Sequence, residues 1–298
     1  MSWTHGQIVG GLVTLPDLEA GLRAYRDTLG LKLVGMGVAD AQLAAQWGAP
    51  RIAGARMATL QTASGAPSFI RLLEQPPQLA FRPTRSYGWA AYEISVADVF
   101  GLAGRVTEGG FTIVGPPRQV GDMSAFIPMQ VLGPGAEMIY LNEVLDDMPD
   151  LDLPRAQAPV DRIFIVVLAA PDRESTTAWY RDALGLEEGA SFTIPYSMIN
   201  KAFGLPDETL TTLTMVQKGR LPIVEVDDYP SAATARPRHE GWLPPGNALV
   251  TLAVDNLDRC RCDWLAPAAQ LDGPLYAGGR SGVTLGPAGE LVELVEIG

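Results

Sequence analysis

The chain has only two histidines and two cysteines in 298 residues, and that scarcity bounds its chemistry before any motif is read. His5 precedes the first apolar run and His239 lies in the Pro-bearing stretch RPRHEGW, so neither falls where a strand would aim it into a core. Cys260 and Cys262, in DRCRCDW, are two apart, which throws them onto different faces of a helix and favours incidental thiols over a metal or redox pair. Runs of Lys or Arg are missing as well. With 34 acidic against 22 basic residues the net charge is -12, which disfavours nucleic acid and anionic membranes as partners. No stretch approaches the ~20 apolar residues of a membrane span. The start, MSWTHGQIVGG, shows no basic segment leading into an apolar one, so a cytoplasmic location is expected. Stretches such as PLYAGGRSG lack the context and the Lys-Ser/Thr of a phosphate loop, and no G-x-S-x-G nucleophile motif occurs.

What the chain does have is apolar residues, 47% of the total, and a length that suits about two domains. It also repeats itself. Residues 15–31, LPDLEAGLRAYRDTLGL, and 170–186, APDRESTTAWYRDALGL, agree at nine of seventeen positions, including Asp17/Asp172, Tyr25/Tyr180 and Gly30/Gly185. LGPGAEMIYLNEV at 132–144 answers LGPAGELVELVEI at 285–297. A weaker echo inside each half, at Val-Ala-Asp-Val (96–99) and Val-Asp-Asn-Leu (254–257), makes four units in all. Each reads as a strand, an acidic N-cap, an amphipathic helix ended by glycine, and about three further strands. The acidic, Pro-bearing stretch 145–159 between the halves has the composition of an exposed linker.

The pattern V-x-D-L followed by aromatic-Tyr and L-G-L, closing on G-P-x-G-x-x-x-E-L, resembles the vicinal oxygen chelate superfamily of glyoxalases, extradiol dioxygenases and fosfomycin and bleomycin resistance proteins. It is carried by Val13, Asp17, Leu18, Tyr25, Leu29, Gly30 and Leu31, by Trp179, Tyr180, Leu184 and Gly185, and by Gly286, Pro287, Gly289, Glu293 and Leu294. The resemblance implies an α+β fold of four βαβββ units in two half-open barrels. Residues 1–144 are expected to form the first barrel domain, 145–159 the linker and 160–298 the second. Related proteins commonly dimerise, so a homodimer is an expectation too.

In that superfamily the first and last strands of paired units hold a divalent metal, typically through His and Glu. Here the equivalent first-strand positions carry Gly10, Ala91, Ile165 and Leu249, and the last-strand positions carry Arg71, Tyr140, Glu225 and Glu293. The imidazoles are gone, so no metal or other cofactor is expected. Glu293 stands on one strand face with Leu291 and Val295, where a buried carboxylate has to be paired or protonated. If the halves pair internally, Glu225 and Glu293 face one interior and split their pKa values as an acid and a base, with Glu293 titrating above a free glutamate. Arg71 and Tyr140 would then grip a carboxylate or phenolate in the other barrel. Two insertions, at 39–56 and 193–208, read as short helices covering the cavities, which makes Trp47, Tyr196, Met198, Asn200 and Phe203 candidate substrate-binding residues.

Three readings follow. A metal-independent lyase or isomerase of a small, largely apolar, aromatic-type metabolite would use Glu225 and Glu293 for proton transfer. A sequestration protein of the bleomycin-resistance type would only capture such a molecule. A glyoxalase or dioxygenase activity would need atypical metal ligands.

Overall fold

The computed structural model describes residues 3–119 and 125–297. The first unit runs β1 (Ile8–Leu15), α1 (Leu18–Leu22, continued by a π-helical turn to Thr28), β2 (Lys32–Val38), α2 (Ala41–Gln46), β3 (Arg56–Gln61) and β4 (Phe69–Glu74). The second runs β5 (Gly88–Val96), α3 (Val99–Val106), β6 (Thr112–Gly115), β7 (Phe126–Leu132) and β8 (Met138–Val144). The third runs β9 (Val160–Ala170), α4 (Arg173–Leu184), β10 (Glu187–Pro195), α5 (Ser197–Phe203), β11 (Leu210–Lys218) and β12 (Leu221–Asp228). The fourth keeps β13 (Gly246–Val254), β14 (Ala269–Gln270), β15 (Arg280–Leu285) and β16 (Leu291–Glu296), with its helix reduced to a 3-10 turn, Leu257–Arg259.

The repeat is structural at the level of single hydrogen bonds. Asp17, Asp98, Asp172 and Asn256 each sit in extended backbone after the first strand of a unit and accept from amides one turn on, satisfying donors that a helix start leaves open. Gly185 ends α4 in the left-handed conformation at φ 68°, where any other side chain is strained.

Strand pairing does not follow the sequence halves. One eight-stranded sheet has the order β14-β15-β16-β13-β1-β4-β3-β2, joining the fourth unit to the first; the other, β10-β11-β12-β9-β5-β8-β7-β6, joins the third to the second. The seams are antiparallel pairings of first strands, β1 on β13 and β5 on β9. Barrels drawn over 1–144 and 160–298 are therefore not how the strands associate. Every first strand is largely apolar and almost wholly buried, so the alternation pattern cannot choose between neighbours.

Within each half the two units are instead tied through side chains. Tyr25 donates to Glu137 Oε1 at 2.7 Å and Tyr180 donates to Glu290 Oε1 at 3.0 Å, so the helix tyrosine of one unit bonds the glutamate of the G-P turn in the next. Each glutamate also receives a turn amide, from Gly135 at 2.7 Å or Ala288 at 2.8 Å. Between the sheets, Tyr92 donates to the carbonyls of Leu12 and Leu249, and its ring lies where a Cβ on Gly11 would come within 2.6 Å. Only glycine fits there.

Burial raises the carboxyls of Glu137 and Glu290 from 4.5 to about 7, against the opposing pull of their tyrosine and amide donors. A raised folded-state pKa means that the native protein holds protons the unfolded chain releases, so stability declines as pH rises from about 4.5 through 7. Thermal unfolding is expected at a lower temperature at pH 8 than at pH 5.5, and the Glu137→Gln/Glu290→Gln variant is expected to flatten that slope. Tyr180→Phe is expected to cost about 1 to 3 kcal/mol in urea unfolding by leaving Glu290 short of a donor.

Candidate functional site

The two barrels place a glutamate at the same strand position and treat it in opposite ways. In the first, Glu293 on β16 faces Arg71 on β4, with Arg71 Nη2 2.8 Å from Glu293 Oε2. Thr251 donates to the same oxygen at 2.6 Å, while Trp47 Nε1, at 2.9 Å, and Tyr276 OH, at 3.0 Å, donate to Oε1. Arg71 in turn donates to Thr251 and Tyr276, and its guanidinium lies 5.0 Å from the centre of the Trp47 ring. Arg71 is 2% exposed and Glu293 is 0% exposed. Burial by itself would push the Glu293 carboxyl up, but the Arg71 charge and the hydrogen bonds of Thr251, Trp47 and Arg71 together bring it below its ordinary value. The expectation of a raised Glu293 is thus reversed. The physical reason is the partner: strand exchange sets it across from an arginine, not from Glu225. This is a buried ion pair held by side-chain donors on both carboxyl oxygens.

In the second barrel the position facing the glutamate is Tyr140, and the interior is open. Glu225 on β12 accepts from Tyr196 OH at 3.0 Å, and Tyr196 OH lies 3.4 Å from Tyr140 OH. Tyr196 enters just ahead of α5, as Trp47 enters just after α2, so each inserted helical segment sends one aromatic donor onto the glutamate of its barrel. Glu93 on β5 accepts from Asn142 Nδ2 at 2.6 Å. The second Asn142 side-chain atom, Oδ1, is buried with no partner, and so are both carboxyl oxygens of Asp227. Burial raises all three carboxyls. Glu225 is brought to about 7 despite the hydrogen bond from Tyr196 and the lowering effect of the nearby Asp227 carboxyl; the Glu225 charge adds to the rise of Glu93 and of Asp227. Among the described residues none of the three forms a salt bridge, so near neutrality Glu225 is answered by a proton in place of an arginine.

Glu93, Asn142 and Glu225 floor a cleft of about 110 Å³ walled by apolar side chains, among them Phe126, Phe164, Phe192 and Met215. A second lobe around the same three residues reaches Tyr140, Tyr196, Met198 and the exposed Arg118 at its rim. Part of the wall comes from the connection 145–159, expected to be an exposed linker: Leu151 and Leu153 are buried, and with Met148 they close one side of the cleft.

The structure brings together Glu225, Tyr140, Tyr196 and Met198 of the residues singled out from sequence. It removes the others from the cavity. Arg71, Trp47 and Glu293 belong to the closed network. Asn200 spends its amide on the carbonyls of Asp207 and Thr209, pinning the loop after α5, and Phe203 packs edge-on against Tyr229 with the Arg85 guanidinium over its ring. Glu93, Asn142 and Asp227 were missed. Each lies two residues along a strand from an inspected position, Ala91, Tyr140 or Glu225, and so on the same face. A charged residue inside the apolar run WAAYEISV was the available signal for Glu93.

As a divalent-metal site the second barrel is poorly furnished. Its first-strand positions are Ala91 and Ile165, and among the described residues no three His, Cys, Asp or Glu side chains converge as a metal cage. In the first barrel Arg71 takes one of the four ligand positions and already forms a salt bridge with Glu293.

Neither protein-family models nor curated proteins match the chain. Solved structures do. Glyoxalase I from Zea mays superposes with a TM-score of 0.62 at 17% identity, over 97% of this chain and 92% of that one. A dioxygenase-like protein from Bacillus subtilis subsp. subtilis str. 168 superposes with a TM-score of 0.63 at 10% identity, over 99% and 86%. At such identities the likeness establishes architecture: the chain has the two-barrel fold of the vicinal oxygen chelate superfamily.

Breaking the closed pair on one side strands a buried charge. Arg71→Met is expected to cost about 3 to 5 kcal/mol in urea unfolding, and the Arg71→Met/Glu293→Leu double variant to recover most of it. Equal losses in the single and double variants would contradict the pairing.

Proposed function

We propose that the second barrel binds a small, largely apolar organic molecule by one polar end and moves a proton on it without a metal, as a lyase or isomerase does. The observation that carries this reading is Glu225: a carboxyl poised at about 7, at the floor of an apolar cleft, with a proton donor, Tyr196, at 3.0 Å. A group half-protonated at working pH is suited to both halves of a proton transfer. Ionised, Glu225 takes a proton from an acidic C–H, N–H or O–H of the ligand. Protonated, it returns one to a neighbouring atom. Tyr196 stays protonated, since burial and the Glu225 charge hold its hydroxyl well above its ordinary value, and it serves as a hydrogen-bond donor. Burial is what lifts Glu225, and burial together with the Glu225 charge raises the neighbouring carboxyls of Glu93 and Asp227 well above their ordinary values. Phe126, Phe164 and Phe192 exclude water and favour a flat ring.

Capture without turnover, as in a sequestration protein, is supported by the lining itself, in which apolar side chains far outnumber the three polar ones. The two readings part on one experiment. Aryl compounds with an acidic C–H beside a carbonyl are incubated with the chelator-treated protein in D2O and followed by mass spectrometry. Deuterium incorporation is expected to rise with pH around a midpoint near 7 and to fall at least about a hundredfold in Glu225→Gln. Ligand binding without exchange would favour sequestration, and exchange that appears only on adding a divalent metal would overturn the metal-free reading.

A further inference from the structure

The polar end of the cleft is built almost wholly of acceptors. Glu93 already uses the Asn142 amide, and Glu225 already uses the Tyr196 hydroxyl. What remains unpartnered is Asn142 Oδ1, 1% exposed and part of the floor of both lobes, with the two oxygens of Asp227 behind Glu225. From β5 comes Glu93, from β8 Tyr140, and from β12 Glu225 and Asp227, with Tyr229 just beyond. Ahead of α5 stands Tyr196, and the neighbouring Asp228 is ion-paired outward to Arg173 at 3.0 Å. Arg118, the cation at the mouth, is exposed and donates to Ser197 Oγ at 3.2 Å. A ligand that offers another acceptor would meet carboxyl oxygens, whereas one that offers several donors would satisfy them.

We infer that the molecule taken by the second barrel carries a protonated amine at its polar end, seated among Glu93, Asn142 Oδ1 and Glu225, with an aromatic or alicyclic body in the apolar wall. This rests on the reading of the second barrel as the ligand site and narrows its substrate class. It also replaces the anion grip expected of Arg71 and Tyr140, since Arg71 is locked in the other barrel. A cation there takes over the role of the shared protons, so its binding should expel a proton from the carboxyl group cluster.

The test is calorimetric titration of the full chain with three probes of one shape, naphthylmethylammonium, naphthylmethanol and naphthoate, at pH 6 and pH 8 in buffers of different ionisation enthalpy. The ammonium is expected to bind at least about tenfold more tightly than the alcohol, and naphthoate least of all. The gap should widen from pH 6 to pH 8, with net proton release at pH 6. Glu93→Gln and Glu225→Gln, each checked for an unchanged thermal transition, should each close the gap to about threefold or less; two variants guard against one failing to fold. Alcohol or naphthoate binding as tightly as the ammonium would overturn the amine assignment while deuterium exchange still upheld the site. Binding of none of the three would overturn the amine assignment as well, and absence of exchange alongside it would overturn the site itself.

Discussion

A glutamate pointing into a barrel must have its charge answered, and this constraint organises both halves of the molecule. An isolated buried carboxylate costs several kcal/mol, which only a counter-ion, a set of donors or a proton can offset. Glu293 has the first two, from Arg71 and from Thr251, Trp47 and Tyr276. Glu225 has the Tyr196 hydroxyl and the neighbouring acids Glu93 and Asp227, so its charge is answered by a proton. The difference traces to one strand position, where β4 carries Arg71 and β8 carries Tyr140. The guanidinium of Arg71 reaches Tyr276, Thr251 and Glu293 across its barrel; at the equivalent position Tyr140 lines the cleft.

The exchange of strands between halves is what makes the contrast exist. Were each half to pair internally, Arg71 would face Tyr140 and Glu225 would face Glu293, leaving one barrel with an unanswered cation and the other with two carboxylates. Pairing first with fourth and second with third gives the arginine its carboxylate and gathers the remaining acids where protons can be shared. The Tyr25–Glu137 and Tyr180–Glu290 bonds then hold consecutive units together across the two sheets. One barrel thereby holds a buried ion pair and the other a cleft.

Much of the fold was legible because its determinants are local. The repeated Asp caps, the Gly185 stop and the closing G-P turns are read from a few residues each, and the structure places them where the repeat implied. The short helices Ala41–Gln46 and Ser197–Phe203 arose where the insertions suggested. Pairing was not legible, since four largely apolar first strands offer equivalent edges and the choice is made by contacts between residues far apart in the chain. The same blindness reversed the reading of Glu293: its burial was evident from Leu291 and Val295, but its partner was not. At the site, Glu225, Tyr140, Tyr196 and Met198 were found from strand register and insertion. Glu93 and Asp227 obey the same face rule, each two residues along a strand from Ala91 or Glu225, inside runs that otherwise read as apolar core. Leu151 and Leu153 were hidden by acidic neighbours that do face solvent.

The central claim, that equivalent glutamates are answered by an arginine in one barrel and by protons in the other, is tested most directly by carbon-detected NMR titration of the Glu225 and Glu293 carboxyls in the folded protein. Glu293 is expected to titrate below 4.5 and Glu225 near 7. Coincident titrations, or Glu293 protonating before Glu225 as pH falls, would contradict it.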